Sequence, residues 1–195
     1  MRTSGTFSLD GQDFDVENNV WIVGDDASVV VVDAPHDAAP ILAAVDGRRI
    51  EAVVCTHGHN DHINVAFDLG APVHLHPDDR MLWDVVHPDR APDAALAEGQ
   101  TLPFGLRVLH TPGHSPGGVC LLAADDGVLF SGDTLFDGGP GATGRSHSDF
   151  PTIVESIRTK LLTLPADTVV HTGHGDDTSI GAEAPHLDEW IARGH

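Results

Sequence analysis

His57-Gly58-His59-Asn60-Asp61-His62 packs three imidazoles and a carboxylate into one short stretch of the chain. It follows an apolar run over 49–55 that reads as a buried strand. The cluster therefore falls in a loop at a strand's end, where side chains can converge. In an extended segment His57 and His59 project to the same side, which suits two imidazoles on one ion. If the chain turns into a helix at Asn60, Asp61 and His62 are placed to reach a second ion. Imidazole with carboxylate suits zinc first, and also iron or manganese. Two ions about 3.5–4 Å apart share a hydroxide, because each lowers the pKa of bound water. That hydroxide attacks a carbonyl or phosphoryl centre, and the metals stabilise the oxyanion that results. The chemistry such a site would support is metal-assisted hydrolysis, in which Asp61 would hold one metal and could also orient the nucleophile.

Three further donors each lie at the end of an expected strand. His114 stands in Thr111-Pro112-Gly113-His114-Ser115-Pro116-Gly117-Gly118, Asp133 in Phe130-Ser131-Gly132-Asp133-Thr134, and His174 in His171-Thr172-Gly173-His174-Gly175. A glycine precedes each, as expected where backbone bends closely around a buried site. A lone histidine is usually a hydrogen-bonded or solvated residue, and His36, His87, His186 and His195 are read that way. So are the strand histidines His74, His76, His110 and His171. Asp33 has two readings: it orients the metal loop through hydrogen bonds to its ligands, or it caps the helix that follows.

The elements that must position these residues fit one domain spanning 1–195. Strands are expected over 19–23, 28–32, 49–55, 71–76, 106–110, 118–122, 128–130 and 168–171, with a weak edge strand over 5–16. Helices are expected over 37–45, 78–86, 153–162 and 182–192, and irregular chain over 87–100 and 136–149. Strand-rich halves closed by helices suggest a four-layer α/β arrangement. No fixed-period repeat is present.

Composition narrows the partners. A formal net charge of −20 with ten Lys and Arg argues against nucleic acid, which needs a basic surface. No apolar run approaches the roughly 20 residues that cross a bilayer. The N-terminus lacks the apolar core of a signal peptide, so a cytoplasmic location is the default expectation. Cys55 and Cys120 sit in apolar runs outside any CxxC pair and read as small core residues.

On these motifs the sequence resembles the metallo-β-lactamase superfamily. The resemblance implies an αββα sandwich with two metal ions at one edge of its sheets. It implies that His57, His59 and His114 bind the first ion, that Asp61, His62 and His174 bind the second, and that Asp133 bridges them. True β-lactamases of this fold lack a bridging aspartate at the place of Asp133, which argues against antibiotic hydrolysis. The oxygen-reducing di-iron branch carries a glutamate where this chain has His59. The tRNA-processing branch needs an RNA-gripping extension that this acidic chain lacks.

What remains is a likeness to glyoxalase II-like thioester hydrolases and the related persulfide dioxygenases. It is carried by the His114 and Asp133 motifs and by Gly144-Arg145-Ser146-His147-Ser148-Asp149-Phe150. Two departures stand out. Ser146 and His147 separate Gly-Arg from its acidic residue. Only 21 residues follow His174, too few for the helical glutathione-binding domain of glyoxalase II, and the chain has no tyrosine. A thiol carrier other than glutathione, such as mycothiol, is the corresponding conjecture, prompted by an Ala/Asp/Gly-rich composition in which Lys160 is the only lysine.

Arg145 and His147 are candidates for substrate contact, although Arg145 could instead brace its loop. The expected activity is dinuclear hydrolysis of a small thioester. The alternatives are an iron-dependent persulfide dioxygenase using His57, His114 and Asp133, and a lactone or ester hydrolase. A non-catalytic scaffold is a third class, against which the complete ligand set argues. A small-molecule substrate is expected, with no nucleic-acid or membrane partner. Edge strands and a terminal helix leave room for a homodimer.

Overall fold

The computed structural model describes residues 1–194. The chain divides into two compact units, Met1–Leu96 and Ala97 onward. Both are built around a mixed five-stranded sheet.

The first unit opens with a hairpin, β1 (Arg2–Leu9) against β2 (Gln12–Asn19). It turns on Asp10 and Gly11, both at positive φ (54° and 72°), as a two-residue Asp-Gly turn requires. The sequence suggested only one weak strand here. The hairpin's residues are largely exposed, so the apolar alternation that marks a half-buried strand is faint. Strand β3 (Trp21–Gly24) pairs antiparallel with β4 (Ser28–Val32). The turn between them is closed by Asp25, whose Oδ1 accepts from the amides of Ala27 and Ser28. All five residues of β4 are buried, as a continuous Val run implies for a strand covered on both faces. Helix α1 (Ala38–Val45) begins at Asp37, which accepts from the Ala39 amide. It leads into β5 (Arg49–Val54), parallel to β4.

One helical turn, α2 (Asn60–Ile63), follows the metal loop. Then come β6 (Val73–Leu75), α3 (Arg80–Val86) and the short β7 (Ala94–Ala95), which lies inside the stretch expected to be irregular. Sheet order is β3-β4-β5-β6-β7. Val29, Val31, Ile41, Val53, Ile63, Val73 and Trp83 form its core.

In the second unit β8 (Arg107–His110), β9 (Val119–Ala123) and β10 (Val128–Gly132) run as an antiparallel meander. A minimal hairpin, β11 (Leu135–Phe136) with β12 (Gly139–Pro140), precedes α4 (Phe150–Ser156), which runs on as a π-helical turn over Ile157–Leu161. Strand β13 (Val169–Thr172) returns parallel to β10 and pairs with β14 (Thr178–Ser179). The expected closing helix is broken. It forms α5 (Ile180–Glu183), a 3-10 turn Ala184–His186 and α6 (Leu187–Arg193). Pro185 lacks the amide hydrogen that a continuous helix would need there. Leu109, Cys120, Leu129, Ile153, Ile157, Val170 and Trp190 fill this core. Among the described residues no helix is long and apolar enough to cross a membrane.

Candidate metal centre

The parallel pair β4–β5 brings two functional segments out at its carboxyl end. Asp33 follows β4, and its amide donates to Val54 O at 3.0 Å. Cys55 to His59 follow β5, with His59 still extended (φ −69°, ψ 146°) before α2 starts at Asn60. This is the extended-then-helical course the donor spacing requires. His57, His59, Asp61 and His62 are all buried.

Gly58 is needed between the histidines. Its amide donates to Asp79 Oδ2 at 2.7 Å, and a Cβ there would stand 2.9 Å from the Leu82 Cβ.

The spacing of donor atoms tests whether metal fits. Two ligands held tetrahedrally at roughly 2.0–2.1 Å from one zinc ion stand about 3.3 Å apart. His57 Nε2 lies 3.0 Å from His59 Nδ1, and His62 Nε2 lies 3.6 Å from Asp61 Oδ2. Both separations suit shared coordination.

The ring nitrogens on the far side are fixed as ligating histidines require. His62 Nδ1 meets Asp33 Oδ2 at 2.8 Å, and His57 Nδ1 meets Thr56 Oγ1 at 3.1 Å. Thr56 in turn gives its hydroxyl hydrogen to Asp33 Oδ2 and its amide hydrogen to Asp33 Oδ1, at 2.9 and 2.7 Å. One buried carboxylate thus orients histidines of both expected ion sites. The capping alternative for Asp33 fails, because Asp37 is the cap of α1.

The second unit presents its donors from three strand ends. His114 follows Gly113, whose φ of 137° and whose position, where a Cβ would lie 2.2 Å from the Ile153 nitrogen, both demand glycine. The His114 Nδ1 is held by Ala142 O at 2.8 Å. That leaves Nε2 facing Asp133 Oδ2 at 3.6 Å, while His174 Nε2 stands 3.4 Å from the same oxygen. A single carboxylate oxygen thus has an imidazole nitrogen on either side. The loop carrying His174 is pinned by Thr172 Oγ1, which donates to His174 O at 2.6 Å.

Arg145 and His147 share one tight turn before α4. Ser148 closes it, donating from its amide and hydroxyl to Arg145 O at 3.2 and 2.8 Å. His147 sits there at φ 68°.

Four of the other histidines have structural partners. His87 Nε2 meets Ile63 O at 2.9 Å, His110 Nε2 meets Pro116 O at 2.9 Å, and His171 and His186 pair with Asp177 and Glu189. His195 lies outside the described residues. Burial pushes the Cys120 thiol up to about 11 and the Cys55 thiol well above its ordinary value, so neither offers a thiolate at neutral pH.

Sequence reasoning missed Asn18, Thr56 and Asp79. All three are buried polar residues whose hydrogen bonds shape the metal loop. Their roles depend on tertiary neighbours, and nothing in their local sequence marks them.

The model of the metallo-β-lactamase superfamily matches residues 14–174. The chain belongs to that superfamily. It is 31% identical over 190 residues to hydroxyacylglutathione hydrolase GloC of Haemophilus influenzae, covering 86% of this chain and 89% of the relative. Among solved structures it resembles the B3 metallo-β-lactamase BLEG-1, with 30% identity, TM-score 0.79, and 96% of this chain and 98% of that one covered. It also resembles the protein TTHA1623, solved in a di-iron-bound form, with 34% identity, TM-score 0.78, and 87% of this chain and 93% of that one covered. The chain accordingly has the α/β metallo-β-lactamase fold, the αββα class expected from the motifs, and is a metallo-hydrolase of that superfamily.

Proposed function

We propose that the protein is a dinuclear metal-dependent hydrolase of a small thioester. The carrying observation is Asp133, whose Oδ2 has an imidazole nitrogen on either side, His114 at 3.6 Å and His174 at 3.4 Å. The ligand set is the one the family resemblance implies. His57, His59 and His114 hold one ion, Asp61, His62 and His174 hold the other, and Asp133 serves both. Zinc is the first choice for such donors, with iron or manganese as the other candidates. When bound, two such ions supply a hydroxide nucleophile at neutral pH and stabilise the oxygen that gains charge.

The chain's own part is positional. Asp33 and Thr56 keep the His57 and His62 rings turned so that each ring's other nitrogen stays available, and Ala142 O does the same for His114. Asp61 brings the carboxylate that holds one ion and orients the nucleophile. The likeness to a hydroxyacylglutathione hydrolase supports a thioester substrate. The thiol is left open to carriers other than glutathione. Residues 1–195 act in this reading as one functional domain in the cytoplasm, alone or as a homodimer, on a small molecule rather than nucleic acid or membrane.

Arg145 and His147 are the proposed substrate contacts. Arg145→Ala should raise KM for an anionic substrate, and unchanged kinetics would remove Arg145 from the site.

The second reading is an iron-dependent persulfide dioxygenase, for which the likeness to a protein solved in a di-iron-bound form supports only that such donors accept iron. Metal content of protein purified without chelators, paired with assays on S-lactoyl and S-formyl thioesters, separates the two. About two zinc-like ions per chain with thioester turnover supports the hydrolase. About one iron per chain, with oxygen uptake on a persulfide and no thioester cleavage, overturns it.

A further inference from the structure

The hairpin β1–β2 reaches the metal loop at three points. The Asn60 side chain accepts from the Ser8 amide and donates to Thr6 O, both at 2.8 Å, pairing with the strand edge as another strand would. The Phe7 ring lies 5.2 Å from the His59 ring. The third point is the closest to the ligands. Asn18, fully buried near the end of β2, donates from Nδ2 to Asp61 Oδ2 at 3.0 Å, and the same nitrogen lies 3.3 Å from His62 Nε2.

An ionised carboxylate can only accept, so Asp61 fixes which way the Asn18 amide faces. Its nitrogen points at the ligands and its oxygen points away. That oxygen is met by His36 Nε2 at 2.7 Å, which must therefore carry the hydrogen.

His36 is itself held firmly. Its backbone is left-handed, at φ 61°, and its amide donates to Asn64 Oδ1 at 2.6 Å. Its ring lies against Gly5, where a Cβ would stand 2.2 Å from Nδ1. A non-glycine residue persists in that backbone region only where its surroundings over-determine it.

We propose that Asn18, oriented by His36, is a positioning residue for Asp61 and His62, and that the hairpin thereby sets the affinity of the ion these two hold. A neutral amide suits this task. It turns the carboxylate without cancelling its charge, which an arginine or lysine in that place would partly do. The inference rests on the dinuclear reading.

The test is a chelator-competition titration of zinc on the parent protein, Asn18→Ala and His36→Phe. The last keeps a ring against Gly5 but removes the donor. The parent should take two equivalents. In Asn18→Ala one equivalent should bind as in the parent and the other roughly 10–100-fold more weakly, with His36→Phe shifted the same way and less. With cobalt(II) in place of zinc, only the visible absorption of the weakened equivalent should change. Equal affinities in parent and variants would overturn the proposal. So would parallel weakening of both equivalents together with a lower Tm of the metal-free protein, because that is general destabilisation. If Asn18→Ala does not fold, His36→Phe decides alone by the same criterion. A parent protein that takes fewer than two ions would sink the dinuclear reading, and the inference with it, before any variant is compared.

Discussion

The two groups of proposed metal donors are held in different ways. In the first unit they sit in one loop and the helical turn α2 that follows it, and are held by side chains. Asp33, Thr56 and Asn18 form a buried mesh around them, and the side chains of His62 and Asp61 are only 0% and 4% exposed. In the second unit His114, Asp133 and His174 come from separate strand ends, with the His114 ring resting on the Ala142 carbonyl and Gly113 shaping the turn before it. There the side chains of Asp133 and His174 are 11% and 25% exposed. The first group is the more deeply buried of the two.

The comparison is sharpest at Asp133. Asp133→Asn removes the shared negative oxygen while keeping the shape. Metal analysis should fall from about two ions per chain toward one, with an activity loss exceeding the roughly 100-fold that removal of an outer hydrogen-bond partner costs. Retention of both ions at full affinity would end the bridging role.

A smaller effect separates the two modes of holding. Asn at position 33 tolerates the left-handed backbone (φ 62° in this structure), but its NH2 would face a donor instead of accepting from it. Asp33→Asn should weaken metal binding roughly 10–100-fold and cost about 1–3 kcal/mol in the metal-free protein. Ala142→Ser should change neither, because His114 leans on a backbone carbonyl that serine also supplies. If the two variants behaved alike in chelator titration and denaturation, the contrast between the units would collapse.

The same contrast explains what could be read from the sequence. The candidate ligands stand out in the sequence because their chemistry is uncommon and their order is joint, as in His57 to His62. The buried Val run of β4 and the turn at Asp25 were legible because they are local signals. Asn18, Thr56 and Asp79 were not, since each becomes significant only when a distant segment folds against it. The β1–β2 hairpin was half legible. Its Asp10-Gly11 turn is a clear local mark, but strands that bury so little of their length carry little apolar alternation. The helix expected over 182–192 is interrupted at Pro185, a break that the residue itself marks locally.

Glycine at 113 sharpens the other side of the comparison, where backbone rather than side chains does the work. Gly113→Ala would force a Cβ toward the Ile153 backbone at the start of α4 in a conformation alanine rarely adopts. Strain of this kind costs about 1–3 kcal/mol, and the clash adds to it. The denaturation midpoint should drop, with His114 displaced and metal affinity reduced as a consequence. A variant as stable as the parent would show that the loop before α4 is softer than its geometry implies.

The smallest expected effect is a difference in how the units respond to acid. Burial holds the His74 imidazole below its ordinary value of 6.5, against a weaker opposing pull from Asp93. Its Nδ1 is buried without a hydrogen-bond partner, and its carbonyl accepts from Cys55 just before the metal loop. The unfolded chain therefore takes up this proton at a higher pH than the folded one. The contribution to stability is intact above 6.5 and is lost as pH falls from there toward the lower folded value. In the second unit Glu98 is partly desolvated, which raises its pKa, but bonds from Lys160 and the His110 amide outweigh that and hold it below its ordinary 4.5. Its contribution persists down to that value and fades only below it. Hydrogen exchange compared at pH 7.5 and 5.5 should show β5 and β6 loosening before β9 and β10. His74→Thr should remove part of that early loosening while leaving the second unit unchanged. Equal acid responses in parent and variant would mean that the partly exposed His74 ring escapes its burial by turning toward solvent.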